Sequence, residues 1–246
     1  MICEMCGLTV ALEPKYAALQ KRSRKFLAKN QAAVPDITIE LNQADIEENV
    51  QKNPHSNLQT IEYGMAGMNF FEQITPFDCF VLHASAVDVD GEGYLFCGTS
   101  GTGKSTHAAL WLHAFAERAK YINDDKPIIK IAGEEVLCCG TPFSGKNDFN
   151  SPTISPVRAV YLLEQSPQNH IEPLSKREAL ALVLAQSHSA KSHEAVLKHL
   201  QLVEKAVTKI PFFRLKCNIS TEAVAVAYHM KNPDELLKSG KIVGKS

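Results

Sequence analysis

The chain has 246 residues, with 26 Lys and Arg against 27 Asp and Glu, a formal net charge of −1 and an isoelectric point near 6.8. That balance excludes a global basic field that would recruit nucleic acid or an anionic membrane, and no apolar run approaches the length of a membrane span. Seven scattered cysteines suit a reducing compartment better than a disulfide framework, and the start Met1-Ile2-Cys3-Glu4-Met5-Cys6 has neither a basic leader nor a signal core, so a cytoplasmic protein is expected.

Residues 15–30 are predicted as a basic helix with Tyr16, Leu19, Phe26 and Leu27 available to pack. Its Lys21-Arg22-Ser23-Arg24-Lys25 run reads as a solvated face, since neither charge balance nor aromatic interleaving supports a nucleic-acid groove. Ile37-Thr38-Ile39-Glu40-Leu41 alternates like a strand, residues 42–50 form a short acidic helix, and 54–57 a loop. Residues 1–66 read as an N-terminal α/β subdomain, 67–174 as a nucleotide-binding core and 175–246 as a mostly helical C-terminal region, all within one compact unit.

Residues 81–89 are predicted as a strand, Asp90-Gly91-Glu92-Gly93 as a turn, and Tyr94-Leu95-Phe96-Cys97 as a short buried strand. Such a hairpin makes the sheet mixed, because an all-parallel sheet would need a crossover here. Gly98-Thr99-Ser100-Gly101-Thr102-Gly103-Lys104-Ser105 then completes a G-x-x-x-x-G-K-[ST] phosphate loop, with Thr106 opening the helix behind it. The glycines let several backbone N–H groups aim at one phosphate, Lys104 adds a mobile charge, and the Ser105 hydroxyl can ligate Mg²⁺. The expected ligand is a nucleotide, ATP with Mg²⁺, at the positive end of a helix dipole.

A helix of about 15 residues, roughly 22 Å long, is expected to end near Arg118, with residues 120–122 beginning the next strand. That crossover predicts a parallel pair sharing one edge, which brings Asn123-Asp124-Asp125 beside the cradle. One carboxylate could hold Mg²⁺ while the other takes the proton of an attacking hydroxyl; strand alternation allows both only if the backbone turns here.

Residues 135–139 read as a strand leading into Gly140-Thr141-Pro142-Phe143-Ser144-Gly145-Lys146, which is either a second wall of the site, with Lys146 as a further cation, or a plain turn. Arg158 could reach the same edge, with a surface ion pair as the favoured expectation, and Cys3 and Cys6 make half a zinc site with no partner pair. Residues 176–186, 193–207 and 221–230 are predicted helices whose apolar stripes pack the core, and 212–215 a strand.

Guanine-reading and transporter signatures are absent, which argues against GTPases and transporter ATPases. The segment His83-Ala84-Ser85-Ala86-Val87, the turn at 90–93, the loop with Thr106 and Asn123-Asp124-Asp125, in that order, resemble the catalytic domain of HPr kinase/phosphorylase, whose distant relative is phosphoenolpyruvate carboxykinase. The resemblance covers roughly residues 80–130. It implies an α/β fold with a mixed-sheet phosphate-loop core and C-terminal helices. It implies a serine-type kinase with Asp124 as base, Lys104 on the phosphates, Ser105 and Asp125 at Mg²⁺, and His83 against the catalytic Asp124. The chain departs from that family at Ala84 and Thr106 and lacks an Arg-Gly-x-Gly segment, so HPr as acceptor and a reverse phosphorylase activity are not implied. A small-molecule hydroxyl, a carboxykinase-like transfer and a nucleotide-dependent switch stay open as alternatives. The acceptor's identity and self-association into a homo-oligomer are likewise open.

Overall fold

The computed structural model describes residues 1–188 and 192–229. It opens with a hairpin that the sequence reading lacks. β1 (Ile2–Met5) and β2 (Leu8–Leu12) pair antiparallel around Cys6-Gly7, whose φ values of 57° and 70° suit a two-residue hairpin turn. The predicted helix at 15–30 is shorter: α1 (Ala17–Ser23) gives way to a 3₁₀ turn at Arg24–Phe26. Its basic run is a solvated face in part: Lys21, Arg24 and Lys25 are exposed, while Ser23 is buried and the side chains of Arg22 and Lys25 reach a distant loop. β3 (Ile37–Ile39) joins β2 in parallel to complete a three-stranded sheet.

α2 (Gln43–Lys52) begins after Asn42, whose side chain accepts from the Asp45 N–H as an N-cap. α3 (Leu58–Gln73), which was not predicted, runs continuously through residue 66. Gly64 and Gly67 lower its helix propensity, so its signal lies in packing. Phe143 lies so close that a Cβ on Gly67 would sit 3.1 Å from its ring, while Ala66, Phe70 and Phe71 face the N-terminal sheet.

The predicted strand at 81–89 is two strands, β4 (Cys79–Leu82) and β5 (Ala84–Val89), broken at His83, whose N–H donates to Gln186 O at 2.7 Å. β6 (Glu92–Cys97) returns antiparallel to β5, and α4 (Lys104–Phe115) leads to β7 (Ala119–Asp125). Then follow β8 (Ile128–Ala132), also unpredicted, β9 (Glu135–Cys139), β10 (Ile154–Gln165), β11 (His170–Pro173), α5 (Lys176–Gln186), β12 (Ser187–His188), α6 (His193–Lys209), β13 (Phe212–Cys217) and α7 (Thr221–His229). The last residue of the helix predicted at 221–230 lies outside the described residues.

β4 to β13 form one mixed ten-stranded sheet in an α/β fold. The order is β12-β4-β8-β9-β10-β6-β5-β7, with β13 paired to β10 and β11. β10 is the join: Ile154 to Pro156 pair with β9, and from Val157 onward the strand lies parallel to β6, with β13 on its other side. The expected direct pairing of β6 with β7 is corrected, because β5 stands between them, antiparallel to both. The hairpin had already occupied that side of β6.

Alternation sends Val87, Val89, Tyr94 and Phe96 to one face, beneath Ala108 and Trp111 of α4 and Val224 and Ala227 of α7. Ala84, Ala86, Leu95 and Cys97 face the other side, toward β8, β9, α5 and α6. Burial at about 25 cal/mol per Å² makes each such large side chain worth roughly 1.5–3 kcal/mol, which holds α4 and its preceding loop against the sheet. Among the described residues no helix is long and apolar enough to cross a membrane.

Candidate active site at the sheet edge

The loop Gly98 to Gly103 joins the end of β6 to the start of α4. Gly101 and Gly103 have φ of 82° and 103°, which L side chains rarely adopt, and the space where each Cβ would stand is open. Glycine therefore serves backbone shape here, and that side of the loop is open to a ligand. Thr102 closes the turn, its N–H and Oγ1 both donating to Thr99 O at 3.2 and 2.7 Å. Lys104 Nζ donates to Gly98 O at 2.9 Å and Thr99 O at 3.3 Å, so the ammonium is folded over the loop. Thr99, Ser100 and Gly101 form the exposed crest, and Ser105 and Thr106 are exposed in the first turn of α4.

Phe96, Ser85 and Asp124 stand in one row across β6, β5 and β7. Two strand spacings of about 4.8 Å place the Asp124 backbone about 10 Å from that of Phe96, two residues before Gly98. Ser85 alternates with Val87 and Val89 and so shares the face of α4. Its hydroxyl donates to Asp124 Oδ1 at 2.5 Å, with the two residues 1% and 6% exposed. The Asp124 N–H donates to Phe149 O at 3.0 Å, and the Tyr121 and Phe149 rings stack with centroids 4.9 Å apart. The signal Ser85 carries in sequence is a lone hydroxyl within a buried apolar alternation.

Asp125 is paired with Ala84 and turns to the opposite face. Its Oδ1 lies 3.4 Å from His83 Nε2, and its Oδ2 accepts from Lys126 Nζ. Burial pushes the Asp125 carboxyl up, but hydrogen bonds and charge from His83 and Lys126 outweigh that and bring it down to about 2. The contact expected between His83 and Asp124 is thus replaced by one with Asp125, because His83 occupies the break before Ala84. The backbone does not turn at 123–125, so the structure brings Ser85, Asp124 and the loop onto one face and leaves Asp125 and His83 on the other.

The second loop is more than a turn. A Cβ on Gly140 would lie 1.9 Å from Ser151 O and 2.6 Å from Ile122 O, so this glycine admits the protein's own backbone. Asn123, fully buried, donates through Nδ2 to Thr141 O at 3.1 Å and Phe143 O at 3.2 Å, and its Oδ1 accepts from the Lys126 N–H at 2.9 Å. Arg22 donates to Tyr63 OH, Gly145 O and Lys146 O at 2.9, 2.6 and 2.8 Å. Tyr63 OH donates to Pro142 O at 3.1 Å and accepts from the Ser144 N–H at 2.7 Å. A Cβ on Gly145 would lie 3.0 Å from Asp125 Cβ, so the loop flanks that carboxylate while Lys146 is exposed. That Arg22, Tyr63 and Asn123 hold this loop had no sequence signal, since the loop residues they contact lie 18 or more residues from each of them.

Arg158 pairs with Glu92 at 3.5 Å, at the start of β6, away from the loop. Cys3 donates to Ser23 O at 3.8 Å, and burial pushes its thiol up to about 11. Burial and a hydrogen bond with Cys139 raise the Cys6 thiol well above its usual range. Both cysteines are buried, and among the described residues no three His, Cys, Asp or Glu are grouped to hold a metal ion.

The family model described as SynChlorMet cassette protein ScmC matches residues 48–225, well over half of the chain. The chain belongs to the ScmC family. The ScmC match runs from α2 into α7 and takes in the loop after β6, Ser85, Asp124 and Asp125; the β1–β2 hairpin and Arg22 lie outside it. No curated protein matches the chain. Among solved structures, the Hpr(Ser) kinase/phosphatase from Coxiella burnetii is similar at 11% identity and a TM-score of 0.38, over 65% of this chain and 93% of that one. A similarity at that level transfers no residue role and no activity.

Proposed function

We infer that this protein is an ATP- and Mg²⁺-dependent phosphotransferase that moves a γ-phosphoryl group to a hydroxyl, with serine of a protein or peptide as the acceptor. The observation that carries the reading is the pairing of Ser85 with Asp124 on the same sheet face and at the same edge as the glycine loop. A binding module would need the loop alone; a buried, oriented carboxylate beside it suits proton transfer.

The open Gly101 and Gly103 backbone, Lys104 and the α4 N-terminus fit a polyphosphate, and the exposed Ser105 hydroxyl fits a cation beside it. Bound Mg²⁺ supplies charge neutralisation on the phosphate oxygens. Asp125 faces the other side of the sheet, so it would join Ser105 there only by leaving Lys126 and His83 and turning about the end of β7.

In the transfer step the acceptor oxygen forms a bond to the γ-phosphorus, the bond from that phosphorus to the β,γ-bridging oxygen breaks, and ADP leaves. The hydroxyl proton passes to Asp124, which Ser85 holds in orientation through Oδ1. Lys104 moves from the loop carbonyls to the phosphates, and Lys146 provides a second cation from the flanking loop. His83, 3.4 Å from Asp125 Oδ1, holds that carboxylate on the face away from the loop and acts on the reaction only by releasing it.

The test uses radiolabelled ATP with a serine peptide array, with binding measured on the same preparations. Asp124→Asn should keep ATP affinity within a few-fold and lower transfer by about 10²- to 10⁴-fold. Lys104→Ala should remove most of the ATP affinity. Undiminished transfer by Asp124→Asn sinks the assignment; wild type that binds ATP but modifies no hydroxyl is a nucleotide-dependent switch.

A further inference from the structure

A cavity of about 550 Å³ opens beside the loop, with Gly101, Thr102, Gly103 and Thr106 on its near wall. Its volume lies within the roughly 300–1,000 Å³ of small-molecule sites. The geometry points to this cavity as the seat of the nucleoside of the phosphate donor, making that donor a nucleoside triphosphate rather than an inorganic polyphosphate. The inference rests on the phosphotransferase reading.

Sheet order sets the direction. β7, with Asp124, lies two strands to one side of β6, whereas the far wall of the cavity comes from the C-terminal ends of β10 and β13 on the other side. A polyphosphate lying across the loop with its terminal group toward Asp124 therefore has its other end at the cavity mouth.

The lining matches a neutral heterocycle on a sugar. Leu110, Leu163, Pro167, Cys217 and Ile219 supply apolar surface, and the amides of Gln165 and Asn218 supply neutral hydrogen-bonding groups. No Asp, Glu, Lys or Arg is among the residues lining it. His107 is the one imidazole there; burial brings it down to about 4, and the Trp111 indole N–H donates to its Nε2 at 3.1 Å, which leaves the neutral ring with its proton on Nδ1.

The walls are tied together before any ligand arrives. Asn218 Nδ2 donates to Pro167 O at 3.1 Å, the Asn218 N–H to Asn169 Oδ1 at 3.0 Å, and Gln165 Nε2 to Gly101 O at 3.4 Å. Ile219 stands at the rim 78% exposed, an apolar side chain that a stacked base would cover.

The experiment compares adenosine and guanosine triphosphates with inorganic tripolyphosphate, each with Mg²⁺, by calorimetry on the full chain. At least one nucleotide should bind on the order of 30-fold more tightly than tripolyphosphate. Ile219→Ala, at a position too exposed to endanger folding, should weaken the nucleotide by about 3- to 10-fold and leave tripolyphosphate unchanged. Trp111 is the chain's single tryptophan, so its fluorescence should respond to the nucleotide and not to tripolyphosphate. Equal affinity for nucleotide and tripolyphosphate overturns the nucleoside pocket while the phosphate cradle stands; binding of neither overturns both. An Ile219→Ala variant that lowers phosphoryl transfer with nucleotide affinity intact assigns the cavity to the acceptor and overturns the proposal.

Discussion

Ser85 on β5 and Asp124 on β7 meet as a buried register pair, the serine hydroxyl 2.5 Å from one carboxylate oxygen. If the serine works by orienting that carboxylate, Ser85→Ala should slow transfer about 10-fold and cost about 1 kcal/mol of stability. In an Asp124→Asn background the same change should add less than about twofold to the kinetic defect, because coupled partners are not additive. Full additivity in single-turnover kinetics would show that the two residues act separately.

Two glycines near the site have different physical duties. At Gly140 a Cβ would enter the backbone oxygens of Ser151 and Ile122, so Gly140→Ala should cost about 3 kcal/mol or more in urea unfolding. At Gly101 the space is open and only the φ of 82° resists a side chain, so Gly101→Ala should cost about 1–2 kcal/mol in stability. Similar costs for the two would mean that the Ser151 segment moves aside readily.

Arg22 and Lys146 divide support from charge. Arg22→Ala releases three oxygen contacts and should lower both the melting temperature and transfer, and Arg22→Lys should not restore them because an ammonium cannot reproduce the guanidinium fork. Lys146→Ala should leave the melt unchanged and ATP affinity within a few-fold while lowering transfer by roughly 10²-fold. Unchanged transfer would confine this loop to structure.

Acid should weaken the fold in two stages. His107 is held by burial at about 4 against an ordinary 6.5, so the unfolded chain takes up this proton first; the stability is present above about 6.5 and falls as pH drops toward 4. Asp125, although burial opposes ionisation, is drawn down to about 2 by His83 and Lys126, so its contribution is present above about 4 and is lost as pH falls toward 2. His107→Gln should flatten the first limb of a denaturant-measured stability profile and Asp125→Asn only the second. A first limb unaltered by His107→Gln would show that other groups carry it.

The glycine-rich loop, the strand before it and the helix behind it, the β5–β6 turn and the Asn-Asp-Asp at the end of β7 were all legible from residues alone. Each is written in glycine positions or apolar periodicity within about ten neighbouring residues, which bias φ, ψ and burial locally. The insertion of β5 between β6 and β7, the break at His83 and the opposite facing of Asp124 and Asp125 came only with the tertiary structure. Register depends on which distant strand supplies the hydrogen bonds, and a shift of one residue turns every side chain to the other face. Arg22 and Asn123 follow the same logic: one reads as a charge on a surface helix and the other as a turn residue until the loop at 141–146 is folded against them. Pattern within the chain thus chose the chemistry available at this edge, and long-range pairing decided which of its two carboxylates faces the loop.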